Sequence, residues 1–403
     1  MLTASGRTPE TAAPSSLDGA LSQELAALAG AGLRRTLRAL HGRAGATIAD
    51  GSRVLRDFSS NDYLGLASDP RLADAAAAAL EAAGTGAAAA RLISGHHELH
   101  EKLEGTIARF TGAEGALLFP SGYMANVGVV PALVGRGDAI YSDLLNHASL
   151  IDGCRLSRAA LHLLPHADIA ALERALERQR GQYRRRLIVI EGIYSMGGDL
   201  YPLDALVPLA RRHDAWIYLD DAHGVGVLGP SGRGSAEHWG VASEIDVVMG
   251  TLGKACGVAG AFVAGSRALV DYLTNRARAF VYTTGSPPAL AAAAIEALDI
   301  VAREPERRAR LRANARRLRA GLAARGMPAD GPEDGHIVPV MIGASDETMR
   351  VGAALDAAGF LVGAIRPPTV PDGTARLRIT VSAAHDAQAI DALLEALAAA
   401  RAR

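Results

Sequence analysis

The chain has 403 residues, 49% of them hydrophobic and 21% charged, with a formal net charge of −1. That length allows two sizeable cores, and the near-neutral balance excludes a general electrostatic pull toward nucleic acid or an anionic membrane. Only Cys154 and Cys256 occur, far apart in the chain, which argues against a disulfide framework or a cysteine-based metal site and suits a reducing cytoplasm.

Residues 1–16 lack the basic start and apolar core of a signal peptide and read as a disordered tail. Leu21, Leu25, Leu28, Leu33, Leu37 and Leu40 recur near helical spacing. They predict an amphipathic helix over 17–40, with Arg34, Arg35 and Arg38 on its solvated face. A short β unit at Thr47-Ile48 and Val54-Leu55 completes an N-terminal region over 17–60. It leads into Asp57–Leu66, a polar and aromatic stretch of the kind that forms a rigid loop beside a pocket. The alanine-rich run from Leu72 to Ala90 is broken by Asp74, Glu81 and Gly84, and alanine gives it helix propensity rather than affinity for lipid.

A large domain is expected over 61–297. Between Gly112 and Ala264, short apolar runs alternate with helical patterns: Ala116–Phe119, Ala139–Tyr141, Leu161–Leu164, Leu187–Ile190, Trp216–Leu219, Val247–Met249 and Ala261–Ala264. This rhythm predicts an α/β fold with a mainly parallel sheet covered on both faces and binding residues at the carboxyl ends of its strands. After the first run, Pro120-Ser-Gly-Tyr-Met-Ala-Asn126 opens a helix whose N-terminal amides, beside Ser121, suit a phosphate; a simple serine cap is the plainer reading. Asn146-His-Ala-Ser149 follows the second run, and Glu191 and Ser195 follow the fourth.

Trp216-Ile-Tyr-Leu-Asp-Asp-Ala-His-Gly224 places Asp220 at the tip of a buried strand with His223 close behind. A carboxylate there is costly without a partner. It could keep a heterocyclic nitrogen protonated, with His223 on a neighbouring ring oxygen, whereas Asp221 better fits a turn cap. Gly224-Val-Gly-Val-Leu-Gly229 matches a dinucleotide-binding pattern but should open a helix, which Pro230-Ser-Gly-Arg-Gly234 cannot do. In Thr251-Leu-Gly-Lys-Ala-Cys-Gly-Val-Ala-Gly260, Lys254 stands among small and apolar residues after a strand. Desolvation there would favour its neutral, nucleophilic amine. Lys254, the Asp220/His223 pair and the Ser121 helix start together supply what pyridoxal 5'-phosphate requires: a Schiff-base amine, an anion for the pyridine nitrogen and a phosphate cradle.

Beyond Pro287 a long helical stretch enters a smaller C-terminal domain, expected over 298–403. The arginine-rich segment from Arg303 to Arg325 reads as a solvated helix face in preference to a patch for an acidic carrier protein or a coenzyme A phosphate. Ile337–Ile342, Phe360–Val362 and Leu377–Val381 alternate with helices in an α/β arrangement that ends in a helix from about Asp386.

With these residues in view, the chain from about Leu33 to Leu397 resembles the α-oxoamine synthases of the fold-type I pyridoxal-phosphate enzymes. The likeness is carried by Ser59–Gly65, Asn146–Ser149, Asp220–Gly224, Gly232–Gly234 and Thr251–Lys254. Ala364-Ile-Arg-Pro-Pro-Thr-Val-Pro371 and Thr374-Ala-Arg-Leu-Arg-Ile379 point to the family's biotin branch. The resemblance implies that Lys254 bonds the cofactor and then serves as base, Asp220 pairs with its pyridine nitrogen, and His223 and Ser195 contact its hydroxyl. His147 would stack on the ring, and Ser121, Gly122, Tyr123 and Thr251 would hold the phosphate. Thr283 or Thr284 of a second subunit would help, because the family's site lies at a homodimer interface. Arg378, near Asn61, would take the amino-acid carboxylate, and Arg34 or Arg366 the far carboxylate of the acyl chain. The implied reaction is a decarboxylative condensation of L-alanine with a pimeloyl thioester of coenzyme A or a carrier protein. A sister activity on glycine with another acyl-CoA, or a cofactor-binding protein without turnover, are the alternatives. Ser195-Met-Gly-Gly-Asp199 departs from the branch's usual Ser-Met-Asp-Gly-Asp, and Gly86–Gly95 departs from its Gly/Ser-rich loop.

Overall fold

The computed structural model describes residues 16–402. The expected tail lies outside the described residues except Ser16, whose hydroxyl caps the first helix. The short apolar runs of the sequence form one seven-stranded sheet: β1 (Gly115–Phe119), β2 (Ala139–Asp143), β3 (Ala160–Leu164), β4 (Arg186–Glu191), β5 (Trp216–Asp220), β6 (Val247–Thr251) and β7 (Ala261–Gly265). Their spatial order is β1-β7-β6-β5-β4-β2-β3. All neighbours are parallel except β7, which runs against both β1 and β6. Leu187–Ile190 on β4 are buried on both faces because helices cover both sides, and each such side chain contributes about 1.5–3 kcal/mol of burial.

The first helix is shorter than the leucine spacing predicts. It spans Leu17–Gly30 and ends because Gly32 takes a positive φ of 67°, turning Leu33 N and Arg34 N back onto Leu28 O. No residue of this helix is buried, and Leu17, Leu21, Leu25 and Leu28 are all exposed. The β unit is a hairpin-like set, His41–Ala44, Thr47–Asp50 and Arg53–Asp57, extended by a parallel pairing with Phe360–Leu361. The two ends of the chain therefore share one sheet. A separate three-stranded sheet is made by Ile337–Gly343, Ala375–Thr380 and Gly363–Ile365.

The basic stretch divides at Glu304-Pro305 into helices Pro288–Arg303 and Pro305–Ala323. Its reading as a wholly solvated face needs correction, since Arg308 and Arg319 are buried. Arg308 donates to Val301 O and Pro230 O, and Arg319 to the carbonyls of Ala329, Asp330 and Ile337. These guanidiniums end chain segments that would otherwise bury bare carbonyls. Most exposed members are paired: Arg303 with Asp299, Arg316 with Asp334 and Arg317 with Asp391.

Asp57–Leu66 is a rigid connector. Asp57 accepts from Ser59 and Ser60, Asp62 accepts from Leu66 N and Ala67 N, and Thr380 Oγ1 donates to Phe58 O and Ser60 O. The segment thereby stitches the three-stranded sheet to the mouth of the large one. Gly224–Gly234 forms turns, not the opening of a dinucleotide-binding helix. Its glycines crowd a buried Asp221–Ser235 pair: a Cβ at Gly224 would lie 2.0 Å from Asp221 Oδ1, and one at Gly234 1.9 Å from Oδ2.

Candidate active site

The carboxyl ends of β2, β4, β5 and β6 converge on Lys254. The lysine follows β6 in a turn closed by Val258 N to Leu252 O and Gly257 N to Lys254 O. Gly257 must be glycine: its φ is +67°, and a Cβ would lie 2.4 Å from Ala67 N. Burial pulls the Lys254 amine down to about 8, against the opposing fields of Asp220 and Glu191.

A continuous hydrogen-bonded chain leads away from that amine. Lys254 Nζ lies 2.7 Å from His223 Nε2, and His223 Nδ1 lies 2.6 Å from the Tyr63 hydroxyl. Tyr63 donates to Asn61 Oδ1 at 3.0 Å, and Arg378 Nη2 donates to the same oxygen at 3.2 Å. Arg378 Nε donates to Ser195 O at 2.5 Å. Burial, reinforced by the Lys254 charge, holds the His223 imidazole well below its usual range, so it is neutral. One nitrogen then accepts from the ammonium while the other donates to Tyr63. Tyr63 itself is pushed up to about 12 by burial and stays a phenol.

A second network fixes the anion. Asp220, buried at the tip of β5, accepts from Asn126 Nδ2 at 2.8 Å and from Ala222 N at 3.0 Å. The same amide nitrogen donates to Ser149 Oγ at 2.8 Å, which lies 2.8 Å from His147 Nδ1, while Tyr218 donates to Asn126 Oδ1. His147 caps the helix Ala148–Ser157, and its backbone N–H donates to Glu191 Oε1 at 2.5 Å. Burial, then the Asp220 charge, holds the Glu191 carboxyl well above its usual range. His147 is exposed on one side, and the crowding on the other lowers its imidazole pKa.

These features fit pyridoxal phosphate. Asp220 is a buried carboxylate with no ion-pair partner among the described residues, held by neutral donors and facing the Lys254 side of the sheet edge. An isolated buried anion of this kind calls for a cation such as a protonated pyridine nitrogen. Ser121 Oγ caps Met124 N in the helix Gly122–Leu133, and the amides of Gly122 and Tyr123 carry no hydrogen bond among the described residues, so an anion can use them. Thr251 Oγ1 is turned inward, accepting from Gly253 N and donating to Gly260 O.

The remaining marked residues lie apart. Thr283 and Thr284 border a cavity with Arg91, His100 and Pro120 whose lining does not include Lys254, and Thr284 bridges to Ala90. Arg34 is exposed with no side-chain partner among the described residues. Arg366 reaches its neighbourhood by donating to Gly32 O. Tyr123 is exposed, its hydroxyl on Asp152. The sequence did not single out Tyr63 or Asn126 as individual site residues, and Glu191 was noted without a role. A buried asparagine inside an apolar helix, needing partners for its amide, was the available signal for Asn126. Both cysteines are buried with thiols pushed up to about 12, hence inert. Among the described residues, no helix is long and apolar enough to cross a membrane.

The class I and II aminotransferase family matches residues 54–397. The 8-amino-7-oxononanoate synthase of Methylococcus capsulatus is 54% identical over 85% of this chain and 88% of its own length. That of Alkalilimnicola ehrlichii is 50% identical over 94% and 96%. Among solved structures, the serine palmitoyltransferase of Sphingomonas wittichii superposes with a TM-score of 0.89 at 31% identity, covering 96% of this chain and 97% of its own. The 8-amino-7-oxononanoate synthase of Francisella tularensis superposes at 0.73 with 28% identity, covering 86% and 97%. By family match and by identity over most of its length, the chain belongs to the 8-amino-7-oxononanoate synthases, pyridoxal-phosphate-dependent acyltransferases of the class I and II aminotransferase family.

Proposed function

We propose that the enzyme condenses L-alanine with a pimeloyl thioester, of coenzyme A or a carrier protein, to give 8-amino-7-oxononanoate, carbon dioxide and the free thiol in biotin synthesis. The observation that carries this reading is the unbroken path from the Lys254 amine to the Arg378 guanidinium, which sets a base and a carboxylate clamp on one short relay.

Bound pyridoxal phosphate supplies an electron sink for the charge left on the amino acid's α-carbon when its proton departs. Lys254 would hold the cofactor and then receive and return that proton, a task its lowered basicity suits near neutral pH. Asp220, locked by Asn126, would keep the pyridine nitrogen charged, and neutral His223 would orient the ring hydroxyl with Ser195. Ser121, Gly122, Tyr123 and Thr251 would hold the phosphate, and His147 would lie on the ring. Arg378 would grip the alanine carboxylate as a fork, with Asn61 fixing its angle. Thr283 and Thr284, in a cavity whose lining does not include Lys254, would complete the phosphate site of a second copy in a homodimer. Arg34 and Arg366, the latter donating to Gly32 O two residues before Arg34, would meet the distal carboxylate of the acyl chain.

The close superposition on serine palmitoyltransferase favours a second reading, serine with a long-chain thioester, but the higher identity to 8-amino-7-oxononanoate synthases weighs against it. An activity panel of alanine, glycine and serine against pimeloyl, acetyl and palmitoyl thioesters separates these. Alanine with pimeloyl is expected to lead in kcat/KM, and a preference for any other pair overturns the assignment.

A further inference from the structure

His166 follows β3 and sits between two carboxylates. Its Nδ1 is 3.1 Å from both oxygens of Asp143 at the end of β2, and its Nε2 is 2.6 Å from Asp199 Oδ2. A neutral imidazole would turn a lone pair toward one of these anions, so the geometry requires the doubly protonated ring. The two carboxylates accordingly raise its pKa to about 10. The ring also packs edge-on against Tyr194 at 4.3 Å.

The two anchors belong to different loops. Asp143 accepts from Leu145 N and Ala167 N, which shapes the turn that delivers Asn146 and His147. Asp199 closes the turn that begins at Tyr194, through Tyr194 N to Asp199 O and Gly198 N to Tyr194 O. Within that turn lies Ser195, whose carbonyl accepts from Arg378. Gly197 lies in the same turn. A Cβ at Gly197 would lie 2.1 Å from Asp199 Oδ1, so the absence of a side chain gives the Asp199 carboxylate its room beside His166.

We infer that His166, as a cation bridging Asp143 and Asp199, is a positioning residue that ties the His147 loop to the Ser195 turn and so sets the angle of Arg378. This rests on the proposed role of Arg378 as the amino-acid carboxylate clamp. Its effect is on amino-acid binding, because it acts through the turn that Arg378 grips and touches neither Lys254 nor Asp220.

The test uses the cofactor-loaded enzyme and spectral titration with alanine. His166→Gln is expected to weaken alanine binding about 10-fold, the equivalent of one charge-assisted hydrogen bond, with cofactor loading intact and kcat within about 3-fold. Gly197→Ala keeps every charge but displaces the Asp199 carboxylate, and should weaken alanine binding in the same direction. The double variant His166→Gln/Asp199→Asn should bind alanine no more weakly than the poorer single variant. Unchanged alanine affinity in either His166→Gln or Gly197→Ala, or losses that multiply in the double variant, overturns the inference. If His166→Gln does not fold, Gly197→Ala decides alone. A wild-type enzyme without spectral response to any amino acid would instead break the functional reading itself.

Discussion

The sheet-edge network around Lys254 and the outer residues Arg34, Arg366, Thr283 and Thr284 differ in how they are held. Every polar group from Lys254 through His223, Tyr63 and Asn61 to Arg378 has a partner within the chain, and Asp220 is fixed by Asn126 and a backbone amide. Arg34, by contrast, is exposed, and the two threonines border a cavity whose lining does not include the lysine. Chemistry that needs a shifted pKa must be built from buried groups that satisfy one another. Recognition of a second copy or a long substrate can wait for that molecule to arrive.

The largest test of this contrast is Lys254→Ala. It should abolish condensation and the visible absorbance of the covalently held cofactor, and borohydride followed by mass spectrometry should tag this lysine in the wild type. Retained activity would remove the inner network's centre. Next, Asp220→Ala should slow α-proton exchange from alanine about 1,000-fold, the scale of a lost preorganised charge, while some cofactor still binds. Arg378→Lys should raise the alanine KM about 10- to 100-fold with a smaller change in kcat, since an ammonium cannot grip a carboxylate as a fork.

The amine itself can be titrated. Because burial lowers Lys254 to about 8, its neutral fraction falls about tenfold for each pH unit below that point. Cofactor capture by the cofactor-free enzyme should therefore accelerate as pH rises toward 8 and level off above it. A plateau reached only above pH 10 would mean that the amine is solvated. The smallest effects belong to the outer set. Mixing Lys254→Ala subunits with Thr283→Ala/Thr284→Ala subunits should restore part of the activity, and none at any ratio despite subunit exchange would count against a shared site. Arg34→Ala should raise the acyl-thioester KM about 3- to 10-fold, and added salt should shrink that difference.

The same contrast governs what could be read in advance. Strands β1 to β7 were legible because short apolar runs recur between helical patterns, and Lys254, Asp220 and His223 because polar residues just past the ends of such runs demand a reason. Tyr63 and Asn126 were not, because each finds its partner far along the chain: His223 is 160 positions from Tyr63, and Asp220 is 94 from Asn126. Nothing local to either residue announces that pairing. The first helix stopped early because the turn at Gly32 overrode leucine spacing, and Arg308 and Arg319 left the solvated face to cap carbonyls contributed by distant segments.

The reversal of β7 has a mechanical meaning. Because Ala261 pairs back against Thr251, the lysine rides at the head of a closed hairpin gripped on both sides by the sheet, not on a long crossover. The amine's reach is set by a frame whose ends cannot spread, so lengthening this loop by even a residue or two should carry the amine away from His223 while the rest of the molecule folds as before.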